Sequence, residues 1–169
     1  GANLHASDLG GADLSEADLT DVNLRAAKLV GANLSQADLN GADLSQADLN
    51  SANLRGANLS GADISGVNMT SVMLAEADLS KLSLTDGNLN WLDLNEANLR
   101  GVNLRGRILI GVNLSNSDLR GASLNQAVLI NVDISNAKID PEELNKTLLC
   151  YTKSIDGILS GCDLRGANL

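Results

Sequence analysis

Phenylalanine is missing from this sequence altogether, and the remaining aromatics are one tryptophan, Trp91, and one tyrosine, Tyr151. A chain so poor in aromatics lacks the platforms on which unpaired bases stack, so it does not read as a single-strand binder. Positive charge is scarce too: 12 Lys and Arg stand against 21 Asp and Glu, for a net charge of −9 and a pI near 4.4. Nucleic-acid binding depends on Lys and Arg neutralising phosphates, so this balance argues against direct contact with nucleic acid. No apolar run approaches the roughly 20 residues needed to span a bilayer, and no membrane contact is expected. No signal peptide is visible at Gly1 to Leu4, which leaves the compartment open with cytoplasmic as the default. The single histidine, His5, has no Cys or second His near it, so a zinc site of the usual ligand count cannot be built and His5 reads as a surface residue. Nucleophile elbow, P-loop and dinucleotide fingerprint are all lacking. Carboxylates abound, but on a solvated face they have no evident means of being desolvated and tuned for acid–base work. No catalysis and no cofactor or metal are therefore expected.

What the chain does have is a period. From Gly31 to Ile64 a small residue, Asp or Asn, and Leu (finally Ile) recur every fifth position. Five matches neither the 3.6 of a helix nor the 2 of a flat strand, so the backbone must turn a corner at every repeat to keep each Leu on one side. We call the Leu position the centre and the residue two before it, such as Ala32, Ala37 or Ala42, the inner position; both point inward. The residue between them is the Asx position. The residue two after the centre is the corner, often Gly as at Gly31, Gly41, Gly56 and Gly101. Glycine fits a type II turn, whose second central residue has positive φ.

These A-[D/N]-L-x-x tandem copies resemble the pentapeptide repeat family, and the resemblance runs from Ala2 to about Ile139. It implies an all-β fold, a right-handed quadrilateral parallel β-helix with four pentapeptides to a coil. Family members that mimic DNA and protect type II topoisomerases often stack Phe at the centre, which this chain lacks. The Leu-centred style is more similar to cyanobacterial and plastid members, many of them without an assigned function. Centres run unbroken from Leu4 to Ile139, which gives about seven coils and a rod on the order of 30 Å tall at the strand spacing of about 4.8 Å.

If a coil is twenty residues, positions twenty apart stack. The inner column through Ala47, Val67 and Gly87 then contains Arg107, read either as a distorted corner that lets the side chain reach solvent or as a ligand-binding arginine. One outward face carries Ile108, Ile110, Val128 and Ile130, with Trp91 one coil below at the corner. Neighbouring outward apolar residues form a patch, which reads as a contact surface for a protein partner or a weak homodimer, or else as a face covered by the same chain. Asp18, Asp38, Asp78 and Asp118 form the most regular acidic column, and nine acidic against three basic residues fall in residues 1–64.

After Ile139 the pattern breaks. Asp140-Pro141-Glu142-Glu143 reads as a helix start, with Asp140 as N-cap, Pro141 at the first helical position and Glu143 closing a capping box. A helix from Pro141 to about Leu149 is expected. The division is 1–139 for the β-helix, 140–158 for a helix-containing excursion or cap, and 159–169 for resumed repeats centred on Leu159, Leu164 and Leu169. The pattern stops mid-repeat, so the chain is expected to be a piece of something longer. Cys150 and Cys162 could pair in an oxidising compartment. Two function classes follow: a non-catalytic scaffold that docks a protein through the Trp91 face, and an acidic mimic of DNA that occupies a nucleic-acid-binding protein such as a type II topoisomerase.

Overall fold

The computed structural model describes residues 1–84 and 89–154, together with the backbone of 157–159. Its organising contact is a parallel bridge between Asx positions one coil apart, as in Asn3↔Asn23, Asn23↔Asp43 and Asp43↔Asp63 on one side, and Asp18↔Asp38↔Asn58↔Asp78↔Asn98↔Asp118 on another. Both polar groups of an Asx-position backbone point toward the preceding coil: Leu24 N–H donates to the Asp43 carbonyl (2.8 Å), and Asp43 N–H donates to the Val22 carbonyl (2.9 Å). Repeated around four sides, these bonds wind the chain into a right-handed quadrilateral β-helix. Centre and inner side chains fill its axis. Leu24, Leu29, Leu34 and the centres that follow to Leu59 are fully buried, with Ala27, Ala32, Ala42 and Ala52 packed between them. Leu4, Leu9, Leu14 and Leu19, in the first coil, are only partly buried because they have a neighbouring coil on one side alone.

Each corner is a turn closed by the next inner N–H on the centre carbonyl, as in Ala32 to Leu29 (3.0 Å). The corner residue has positive φ, as the sequence predicts, but glycine is not the usual occupant: among the described residues ten corners use Gly and seventeen positive-φ positions use another residue. The Asx side chain supports that tolerance at many of these corners, though Asn131 and Tyr151, which follow Val128 and Leu148, have positive φ without it. The Asx Oδ1 accepts the N–H two residues on, as in Asp43 to Ser45 (2.9 Å), Asn53 to Arg55 (3.1 Å) and Asn113 to Ser115 (3.1 Å). This local bond fixes the chain as it enters the turn, so the left-handed residue after it is held by its surroundings despite a cost of about 1–2 kcal/mol.

On the side where Ile108, Val128 and Leu148 stand at the Asx position the geometry changes, although Met73, apolar at the same position on another side, keeps isolated bridges to Asn53 and Asp93. Ile108–Ile110 (β1), Val128–Ile130 (β2) and Leu148–Cys150 (β3) run as three-residue strands, paired in parallel through Ile108↔Val128↔Leu148, Leu109↔Leu129↔Leu149 and Ile110↔Ile130↔Cys150. With no side-chain acceptor at 108, the Ile110 N–H instead donates to Asn90 Oδ1 (2.9 Å) in the coil below.

The helix is real but shorter than its sequence suggests: α1 spans Pro141–Leu144, and by Leu148 the chain is back in the ladder. The twenty-residue register is kept across it, so Leu149 stacks on Leu129 and an eighth coil begins where seven are expected. Asp140 stands at the N-cap in extended conformation with Pro141 after it, yet no capping box forms. The reason lies in the coil below, whose amides lose their regular backbone acceptors when the helix lifts away. Asp140 Oδ2 takes the Gly121 N–H (2.8 Å) and Glu143 Oε2 takes the Leu124 N–H (2.8 Å), so the two carboxylates staple the helix to the rod. Thr152–Ser154 (β4) continues the coil through the bridge Asp133↔Lys153 and then pairs antiparallel with Gly157–Leu159 (β5). An antiparallel β5 departs from the resumed parallel repeat expected at Leu159; Leu164 and Leu169 lie outside the described residues.

Two corner glycines separate backbone strain from packing. A Cβ at Gly101 would meet nothing within 4 Å, whereas one at Gly111 would lie 2.0 Å from Cε3 of the Trp91 ring. Gly101→Ala is therefore expected to cost about 1–2 kcal/mol from positive φ alone, and Gly111→Ala to cost more while shifting the emission of the chain's single tryptophan. Denaturant unfolding with Trp91 fluorescence checks this; equal costs and unchanged emission would contradict the packing described.

Candidate functional site

The outward surface of a repeating coil is polar by template, so departures from the template locate the candidate site. One side departs over three consecutive coils. Ile108, Ile110 and Ile130 are half-buried on its outer surface, while Val128, between Ile108 and Leu148, is 6% exposed and offers little to a partner. The side leads into a corner column twenty residues apart: Ser71, Trp91, Gly111, Asn131 and Tyr151, every one at positive φ. Trp91 is 70% exposed and Tyr151 64%, so both aromatics of the chain stand on one corner, three coils or roughly 14 Å apart. The indole lies across Gly111, which is why that position has no side chain. A cleft of about 330 Å³, lined by Val67 to Ser71 and Asn90 to Leu92, opens on the other side of Trp91.

Trp91, Ile108, Ile110 and Ile130 are thus brought together as the sequence indicates, and Tyr151 joins them unanticipated. The signal was present, since 91, 111, 131 and 151 fall in one column, but an expected helix to Leu149 removed Tyr151 from the coil. Cys150 is 1% exposed and disulfide-bonded, while Cys162 lies outside the described residues. Arg107 is half-buried, and Gly87 beneath it lies outside the described residues. His5 is exposed. Among the described residues no group of three His, Cys, Asp or Glu stands together to hold a metal, and no helix is long and apolar enough to cross a membrane.

The acidic column holds its register but not its charge. Asp18 and Asp38 are adjacent; Asn58 and Asn98 then interrupt, Asn58 Nδ2 donating to Asp38 Oδ1 (2.9 Å), and Lys138 ends the column. Asp118 accepts Arg120 Nε (2.8 Å) and Nη2 (2.5 Å), with Arg100 at 3.4 Å. These hydrogen bonds from Arg120, assisted by the charge of Arg100, hold the Asp118 carboxyl well below the usual carboxylate range. The Ser45 hydroxyl and backbone N–H lower Asp43, and Ser15 does the same for Asp13.

A folded-state pKa below the unfolded value means stability that is fully present above about pH 4 and lost as pH falls through the folded value. The melting temperature should accordingly drop steeply below about pH 4, and Asp118→Asn should lower it at neutral pH while flattening the acid drop. Thermal melts across pH check this, and a parent curve flat down to about pH 2 would contradict it.

The sequence profile described as pentapeptide repeats matches the chain in eight copies, over residues 1–36, 32–70, 73–106 and 108–140. Among solved structures, the chain is similar to HetL, a pentapeptide repeat protein involved in heterocyst differentiation regulation from the cyanobacterium Nostoc sp. strain PCC 7120. The identity is 30%, over 93% of this chain and 78% of HetL, with a TM-score of 0.59. It is also similar to Rfr23, a pentapeptide repeat protein from the cyanobacterium Cyanothece 51142, at 27% identity over 82% of this chain and 88% of that one, with a TM-score of 0.45. No curated protein matches the chain. A profile that accounts for almost every coil, and a relative sharing the fold over most of both lengths, make the chain a member of the pentapeptide repeat family.

Proposed function

We propose that the chain is a non-catalytic, rigid scaffold that binds a protein through the corner and side formed by Trp91, Ile108, Ile110, Ile130 and Tyr151, with Val128 as packing beneath. The observation that carries this reading is the placing of both aromatics, exposed, on one corner beside the apolar side. Bulky residues are rare at positive φ, and a glycine would serve the turn at lower cost. The fold needs neither ring there. Aromatic side chains are the residues that interfaces favour, because they bring large contact area at low conformational cost. A surface of this extent lies near the small end for stable association, so a weak or transient complex is the expected strength.

The DNA-mimic reading draws less support. It needs an uninterrupted run of free negative charge, whereas the column is broken by Asn58 and Asn98, ends on Lys138, and has Asp118 paired with two arginines. The two readings separate in one pull-down from the native source. Trp91→Ala with Tyr151→Ala is expected to lose the captured protein while Asp38→Asn with Asp78→Asn retains it. The reverse pattern, with capture lost from the Asp variant alone, would overturn the scaffold reading in favour of mimicry.

A further inference from the structure

The indole of Trp91 is held as a platform. A Cβ at Gly111 would lie 2.0 Å from Cε3 and 2.2 Å from Cζ3 of the ring, so the benzo ring rests on the Gly111 backbone with no side chain beneath it. The residue is nonetheless 70% exposed, which leaves the opposite ring face to solvent. An aromatic face carries the negative part of the ring quadrupole and attracts a cation set over it. Three kinds of surface follow one another across this corner. Ile110, half-buried, closes the apolar side; the indole lies over the corner itself; and Asp93, exposed, opens the next side. Asp93 Oδ1 accepts the Asn95 N–H (3.2 Å) and Asn113 Nδ2 (2.9 Å), while its Oδ2 has no bond among the described residues.

Apolar, aromatic and anionic surface in that order complements an arginine side chain, whose methylene stem lies on apolar surface and whose planar guanidinium stacks on a ring while donating to a carboxylate. Building on the scaffold reading above, we propose that the protein bound at this corner presents an arginine to it from a locally basic segment. The stem crosses Ile110, the guanidinium stacks on the free face of Trp91, and its N–H fork is directed toward Asp93.

The charges around the corner suit such a partner. Along the side that Asp93 opens, the cations among the described residues are Arg55 and Lys153, and each is already held, Arg55 by Glu76 and Lys153 by Asp133 (2.7 Å). Arg107, on the apolar side, is half-buried and stands at the end of that side far from the indole. Asp93, and Glu96 exposed at the following corner, have no ion pair among the described residues, so their charge is left for a partner to neutralise. The net charge of −9 adds a field that steers a basic segment in the same direction. Because the groups are exposed, the contact is modest in strength and is weakened by salt.

Short extended peptides that are identical except for a central Arg, Gln, Leu or Glu test the inference on the chain Gly1–Leu169, read by anisotropy of a dye on the peptide and by Trp91 emission. The Arg peptide is expected to bind about fivefold more tightly than the Gln and Leu peptides and to change Trp91 emission. Its binding should weaken severalfold between about 50 mM and about 500 mM salt. Asp93→Asn with Glu96→Gln keeps an Asx acceptor at the turn and is expected to cost the Arg peptide about threefold while leaving the Leu peptide unchanged. Trp91→Leu, read by anisotropy, is expected to abolish the Arg preference with circular dichroism unchanged; should it disturb folding, the Asp93 and Glu96 variant decides alone. Leu or Gln binding as tight as Arg, tighter binding of Glu, or binding of none of the peptides overturns the inference and leaves the scaffold reading standing. An Arg preference that survives Trp91→Leu overturns it too, and loss of that preference in Asp38→Asn with Asp78→Asn would then place the cation on the acidic column. An Arg preference that depends on Trp91, beside protein capture indifferent to Trp91→Ala with Tyr151→Ala, would instead sink the scaffold reading alone.

Discussion

The bond on which this structure depends is short and local: an Asp or Asn Oδ1 accepting the backbone N–H two residues further on. It recurs from Asn3 on His5 (3.1 Å) to Asp133 on Ser135 (2.9 Å), and where it forms it holds the backbone as it leaves the ladder at a corner. Inter-coil backbone bonds supply most of the hydrogen bonding and buried leucines most of the apolar contact, but both need every corner to come at the same place. A five-residue period with a turn lock in most units provides that. The acidic composition is then a consequence of the fold's local chemistry, and the carboxylates on the surface are already employed in turns.

The same bond explains where the rod departs from uniformity. At 108 and 128 the lock is replaced by Ile and Val, and the side straightens into strands that stack as apolar ladders. At 140–144 the template yields to a single helical turn, and side-chain carboxylates replace the backbone acceptors that the coil below would otherwise lose. Asp140 and Glu143 thus perform the repeat's own task by another route, which keeps the twenty-residue register intact and lets β3 complete the apolar side. The side that lost its turn locks is the one that gained the apolar surface, and the corner beside it carries Trp91 and Tyr151.

Much of this was legible in the sequence because the period is regular: the buried centres and the inner alanines follow from counting, and with the four-sided coil that the family resemblance implies, so does the grouping of Trp91 with Ile108, Ile110 and Ile130. What counting missed was decided by competition between local and coil-to-coil bonding. Asp140-Pro141-Glu142-Glu143 has the composition of a capping box, but its carboxylates reach stronger claimants in the Gly121 and Leu124 amides, which no linear motif reveals. Val128 is outward by parity yet buried, because its Cα partners on both sides are themselves apolar and the side is flat. Glycine at the corner fits the turn chemistry best, yet a residue as large as Lys81 is tolerated there, after Asp78 Oδ1 accepts the Ser80 N–H (2.8 Å).

Amide hydrogen exchange, followed residue by residue, tests the central claim most directly. Centre amides such as Leu24, Leu29, Leu34 and Leu44 donate to the next coil at 2.7–2.8 Å and should exchange only through opening of the coils. Gly121 and Leu124 should be protected by the carboxylates of Asp140 and Glu143. Centre amides that exchange close to unfolded rates, or protection of Gly121 and Leu124 that survives Asp140→Ala with Glu143→Ala, would contradict the account.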